Sequence, residues 1–72
     1  MVNTNMLKGK IIEKGLSVSD VAQAVGISTA SMYRKINNSG NSMLIKDAYA
    51  IGKCLDLTAE EMNSIFFASP VS

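Results

Sequence analysis

The chain has 72 residues, 47% apolar and 18% charged, with a mean hydropathy of +0.18 and a net charge of +1. That length allows one domain over residues 1–72, near the lower limit at which a core stands without staples. No histidine is present and Cys54 is the single cysteine, which excludes an internal disulfide, a zinc cluster and a thiol catalyst.

Residues 1–4 show no periodic pattern and are expected to fray, as are residues 69–72. A first helix is expected over about Asn5 to Lys14, with Leu7 and Ile11 inward, Lys8, Lys10 and Lys14 toward water, and Gly15 as its stop. Gly9 inside it costs about 1 kcal/mol relative to alanine, which a closely packed neighbour would explain. Ser17 followed by Asp20 reads as a capping box, opening a second helix over about Val18 to Val25. Val21, Ala22 and Val25 form its inner face, and Gly26 supplies the left-handed residue that stops it. Ile27 can drop into the angle, and Ser28 can cap a third helix running to about Asn37, whose Met32 and Ile36 point inward.

The run Asn37 to Ser42 is polar and contains a glycine, so it reads as a loop. A fourth helix is expected over about Ile45 to Leu55, with Ala48, Ile51 and Leu55 inward and Cys54 in a packing role. Its start lacks a polar cap, although Asp47 falls in the first turn. Thr58 and Glu61 form a second capping box, Leu57 staples onto Met62, and the fifth helix carries Ile65 and Phe66 inward to about Phe67 before Pro70 ends it. Five short helices without an alternating pattern give an all-α domain. Ile12, Met43, Tyr49, Phe67 and Val71 fall outside the inward stripes and are candidates for a homodimer seam near the fifth helix or for a partner surface.

The six carboxylates have structural readings: Asp20, Asp47 and Glu61 at helix starts, Glu13, Asp56 and Glu60 on exposed turns. No phosphate-cradling glycine loop occurs. An enzyme is not expected, nor a cofactor, a metal or a small-molecule substrate, and binding is what is left. No run approaches the ~20 apolar residues of a membrane span, and no cleavable signal precedes the first helix, so a cytoplasmic protein is expected. Charge is uneven. Up to Ser39 the five basic residues Lys8, Lys10, Lys14, Arg34 and Lys35 stand against Glu13 and Asp20, while beyond it Lys46 and Lys53 stand against Asp47, Asp56, Glu60 and Glu61. The basic side suits DNA or an acidic protein, and the pattern does not choose between them.

The spacing of Val21, Ala22, Val25, Gly26, Ile27 and Met32 is that of a helix-turn-helix, whose second helix normally enters the major groove. At these residues the chain resembles the phage repressor and Cro superfamily, which implies a compact five-helix, lambda-repressor-like domain. The stretches LKGKIIEKGLS, SMYRKIN and LTAEEMNSIFF further resemble the small Cro-position proteins of temperate phages of Gram-positive hosts, the modulator-of-repression group among them. That resemblance implies a role in the lysis–lysogeny switch in the host bacterial cytoplasm, as an antirepressor-type regulator held in a complex with the phage lysogeny repressor.

Two readings of the third helix follow. In one, a Cro-like DNA binder, Thr29, Ala30, Arg34 and Ser31 meet base edges of operator DNA, and Lys35, Lys10, Tyr33 and Asn37 contact phosphates. In the other, Val18, Thr29, Ala30, Tyr33 and Arg34 form an apolar-centred patch with a basic rim that grips the repressor. Val18 stands where related proteins often present glutamine to the phosphate backbone, and Ala30 where a long polar base reader is common. These departures, with the near-neutral charge, favour the protein partner.

Overall fold

The computed structural model describes residues 2–37 and 43–67, and every regular element in them is helical. The helices are α1 (Thr4–Glu13), α2 (Val18–Val25), α3 (Thr29–Asn37), α4 (Ile45–Cys54) and α5 (Ala59–Met62), and α5 runs on into a π-helical turn, Asn63–Phe67. This is the expected all-α, five-helix arrangement. The loop expected before Met43, together with Pro70 and Val71, lies outside the described residues.

Leu7, Ile11, Val21, Ala22, Met32, Ile36, Ala48, Ile51, Leu55, Ile65 and Phe66 are buried together. Their spacing of three and four along each helix is what turns them to one side. Val25, Ile27, Leu57 and Met62, also expected inside, are half-buried against this cluster, as is Cys54. Within the bundle α2 packs on both α3 and α4, while the π turn packs on α1.

The amino-terminal end differs from its expectation. Residues before Asn5 show no apolar period, yet Val2 packs on the core and Asn3 is held twice. The Asn3 amide donates to the Ile65 carbonyl at 2.7 Å, and its side-chain oxygen accepts the Met6 amide at 3.1 Å, capping α1 one residue early. A cap residue and a carbonyl far along the chain tie this segment down, and neither leaves a periodic trace.

Gly9 also differs. A Cβ built there meets nothing within 4 Å, so no close neighbour explains the glycine. The intimate contact is at Gly52 on α4, where an added Cβ would collide with the Met62 sulfur and stand 3.0 Å from its Cε. Met62 thus lies over the bare backbone of α4, in the space that a side chain would fill.

Two sets of ion pairs cross the bundle. Lys10 on α1 bonds Glu13 at 3.2 Å and reaches across to Glu61 on α5. Glu61 also accepts the Thr58 amide at 2.9 Å, completing its capping box. Glu61 is therefore held at about 2, against an ordinary 4.5, by the Lys10 ammonium first and the Thr58 amide second. The same contacts with Glu61, then Glu13, raise the Lys10 pKa.

The second pair is Lys35 on α3 with Asp47 on α4, at 3.0 Å. Asp47 is only 5% exposed. Burial pushes its carboxyl up, but the Lys35 ammonium and the Leu44 amide outweigh it and the net shift is downward. Asp47 accepts the Leu44 amide at 3.1 Å, the half of a capping box that needs no polar side chain at the cap position.

Three outcomes follow from this packing. Gly9→Ala should stabilise the fold by about 0.5–1 kcal/mol through helix propensity alone, whereas Gly52→Ala should gain less or lose stability because Met62 must move. Paired urea titrations of the two variants check this, and the Gly52→Ala penalty should vanish in a Met62→Ala background. Because the Glu61 pKa is depressed, its contribution is whole above pH 4.5 and drains away as pH falls toward 2. Thermal midpoints of Glu61→Gln and the parent should therefore converge over that interval. Lys35→Met leaves the Asp47 carboxylate buried without its cation, and a loss of about 3 kcal/mol in chemical denaturation is expected.

Candidate functional site

The site is built around the bend between α2 and α3. Ser17 and Asp20 form the reciprocal capping box, with the Ser17 amide donating to Asp20 at 2.8 Å and the Asp20 amide to the Ser17 hydroxyl at 3.1 Å. The Ser17 amide first, and the Ser17 hydroxyl second, hold the Asp20 carboxyl below its usual range. At the other end of α2 the Ala22 carbonyl accepts the amides of both Gly26 and Ile27, at 2.9 and 3.0 Å. This closure needs Gly26 at φ +90°, a conformation that a Cβ disfavours.

Ser28 then starts α3, its hydroxyl oxygen accepting the Ser31 amide at 3.0 Å while its O–H donates to the Ser31 hydroxyl at 2.9 Å. The Thr29 hydroxyl donates to Ser19 on α2 at 3.3 Å. The starts of the two helices are thereby fastened to each other as well as joined through the bend.

With Met32 and Ile36 buried, Ala30, Arg34 and Asn37 are exposed on the outer side of α3, with Tyr33 on one flank at 49% exposure. Thr29 and Ser31 are half-buried by the contacts just described, and Val18 is half-buried at the start of α2 against the core. Val18, Thr29, Ala30, Tyr33 and Arg34 all belong to the two helices that meet at the bend.

Lys35 lies apart from them. It is on the opposite flank of α3 from Tyr33, its side chain 17% exposed and engaged by Asp47. Lys10, the other lysine considered for phosphate contact, is committed to Glu13 and Glu61. Glu13 is three residues from Lys10 on α1, but Glu61 and Asp47 come from other helices, and the sequence hides those two contacts.

Beside the Tyr33 flank runs a groove of about 540 Å³ between α1, the start of α2 and the second half of α3. Ile11 and Ile36 form its floor, and Ile12, Leu16, Val18 and Tyr33 its walls. Lys8, Ser17 and Asn37 are on its rim. Lys8, Leu16 and Ser17 carry no signal in sequence as a site. Ile12 does, since it is apolar, falls off the inward stripe and is 76% exposed.

A second exposed apolar group involves Ile45 and Tyr49 of α4 with Phe67, the Tyr49 and Phe67 rings having centroids 6.2 Å apart. Among the described residues no group of side chains could hold a metal ion, and no helix is long and apolar enough to cross a membrane.

Comparison with curated proteins gave no match, and neither did comparison with solved structures. A family model does match, over residues 6–66, which takes in every helix from within α1 to the π turn and includes the Gly26 bend. The chain belongs to the Cro/C1-type helix-turn-helix DNA-binding domain family.

Proposed function

We propose that this protein is a transcription regulator whose α2–α3 face binds another regulator, the lysogeny repressor of a temperate phage, and alters that repressor's hold on operator DNA. In this reading Val18, Thr29, Ala30, Tyr33 and Arg34 form the contact, with Ser31 and Asn37 at its margin. It acts in the bacterial cytoplasm in the manner of modulator-of-repression proteins.

The observation that carries this reading is the withdrawal of cations from the outer face. Phosphate contacts supply most of the affinity of DNA binders, yet Lys35 is turned to Asp47 and Lys10 to Glu13 and Glu61. Arg34 is the one basic residue on the exposed side of α3, beside Ala30 and Tyr33. Such a surface resembles the centre of a protein interface more than a phosphate cradle. Tyr33 and Arg34 are of the types that most often dominate binding energy there.

A second reading is favoured by the family itself. Members of a DNA-binding domain family with an intact bend commonly place the second helix in the major groove, and Arg34 suits guanine O6 and N7. Here the chain would be a Cro-like repressor acting as a dimer, and Ile45, Tyr49 and Phe67 would be its available seam.

Operator DNA mixed with the purified protein at low and moderate salt, with and without the phage repressor, separates the two. The protein alone should give no sequence-selective shift, and a stable complex should form when the repressor is present. Arg34→Glu should weaken that complex roughly thirtyfold, and Ala30→Lys should disrupt it with helicity intact. A steeply salt-dependent, sequence-selective shift by the protein alone would reject the partner reading in favour of the Cro-like one.

A further inference from the structure

We infer that the groove beside Tyr33 receives an amphipathic helix of the protein partner, apolar side chains in the groove and a carboxylate against Lys8. This rests on the protein-partner reading of the α2–α3 face and extends that contact onto α1. Three observations on the groove carry it.

The first is shape and lining. Its volume, about 540 Å³, is within the range of sites that bury a ligand, and its floor is the buried pair Ile11 and Ile36. Ile12 forms one wall while 76% exposed, although nothing in the chain's own packing requires an isoleucine there. An apolar side chain arriving from outside would remove that surface from water.

The second is charge. No carboxylate lines the groove. Lys8, on its rim, makes no ion pair with the described residues, whereas Lys10 one helical turn away from Lys14 is bonded to two glutamates. The one charge presented to an incoming ligand is therefore positive, and an acidic flank complements it.

The third is continuity. Val18 and Tyr33 wall the groove and also belong to the face proposed to contact the partner. One helix can lie across both, in the manner of helix-in-groove recognition. A nucleic acid suits the groove poorly, because Ile12, Val18 and Leu16 offer nothing to a phosphate.

The test uses isotope-labelled full-length protein and two synthetic helical peptides of about twelve residues, long enough for roughly three turns. Both carry the same leucine stripe, flanked in one by glutamates and in the other by lysines. The glutamate peptide should move the amide resonances of Ile12, Val18 and Tyr33, and should bind roughly threefold or more tightly than the lysine peptide. Ile12→Lys should weaken it roughly tenfold, and Lys8→Glu should reverse the preference between the peptides, both with unchanged circular dichroism.

The inference is overturned if neither peptide binds, if both bind equally, if the shifts gather around Tyr49 and Phe67, or if a DNA duplex moves the same resonances instead. A repressor complex that is lost on Arg34→Glu but unaffected by Ile12→Lys removes the groove alone and leaves the partner reading standing. A glutamate peptide bound as described, beside direct operator binding by the protein alone, removes the partner reading instead.

Discussion

The fold depends on one bend, in which the Ala22 carbonyl takes the amides of Gly26 and Ile27 at the end of α2. That closure sets the direction in which α3 leaves, and with it which side of α3 can reach Met32 and Ile36 inward. The cost of a left-handed residue is avoided by glycine. Ser17, Ser28 and Thr29 then use short hydroxyl contacts to satisfy the open helix starts and to fasten them together.

The Lys35 to Asp47 pair acts on the opposite flank. It ties α3 to α4 at 3.0 Å, and the Asp47 carboxylate at the same time takes up the Leu44 amide at the start of α4. A buried carboxylate tolerates its surroundings only when both needs are met. The arrangement that steadies the bundle also removes a lysine from the surface where it would meet phosphate. One side chain thus serves two helices, and Arg34 is left as the basic residue on the exposed side of α3.

Local chemistry made much of this legible in advance. The bounds of α2 agree with the expected ones because Ser17, Asp20 and Gly26 are start and stop signals that act within a few residues. The second capping box, Thr58 with Glu61, is read just as directly. The hold on Asn3 leaves no trace in the local sequence because one of its contacts is with Ile65, at the other end of the chain. Gly9 is ambiguous in sequence for a related reason. A glycine in a helix signals either open space or a close neighbour, and only the placement of the other helices shows that Gly9 has the first and Gly52 the second. Asp56 takes φ +53° where a glycine is the usual signal, and the chain turns there between α4 and α5 without one.

What the residues alone determine is the set of helices, their inward stripes, the bend at Gly26 and the family type that these imply, since all rest on contacts among near neighbours in the chain. That Lys10 and Lys35 are engaged across the bundle was decided only by tertiary packing, because Glu61 and Asp47 are brought in by α5 and α4. The groove walled by Ile12, Val18 and Tyr33 is likewise a product of three helices meeting. Its existence depends on the angles between them, and those angles follow from the shape of the whole core.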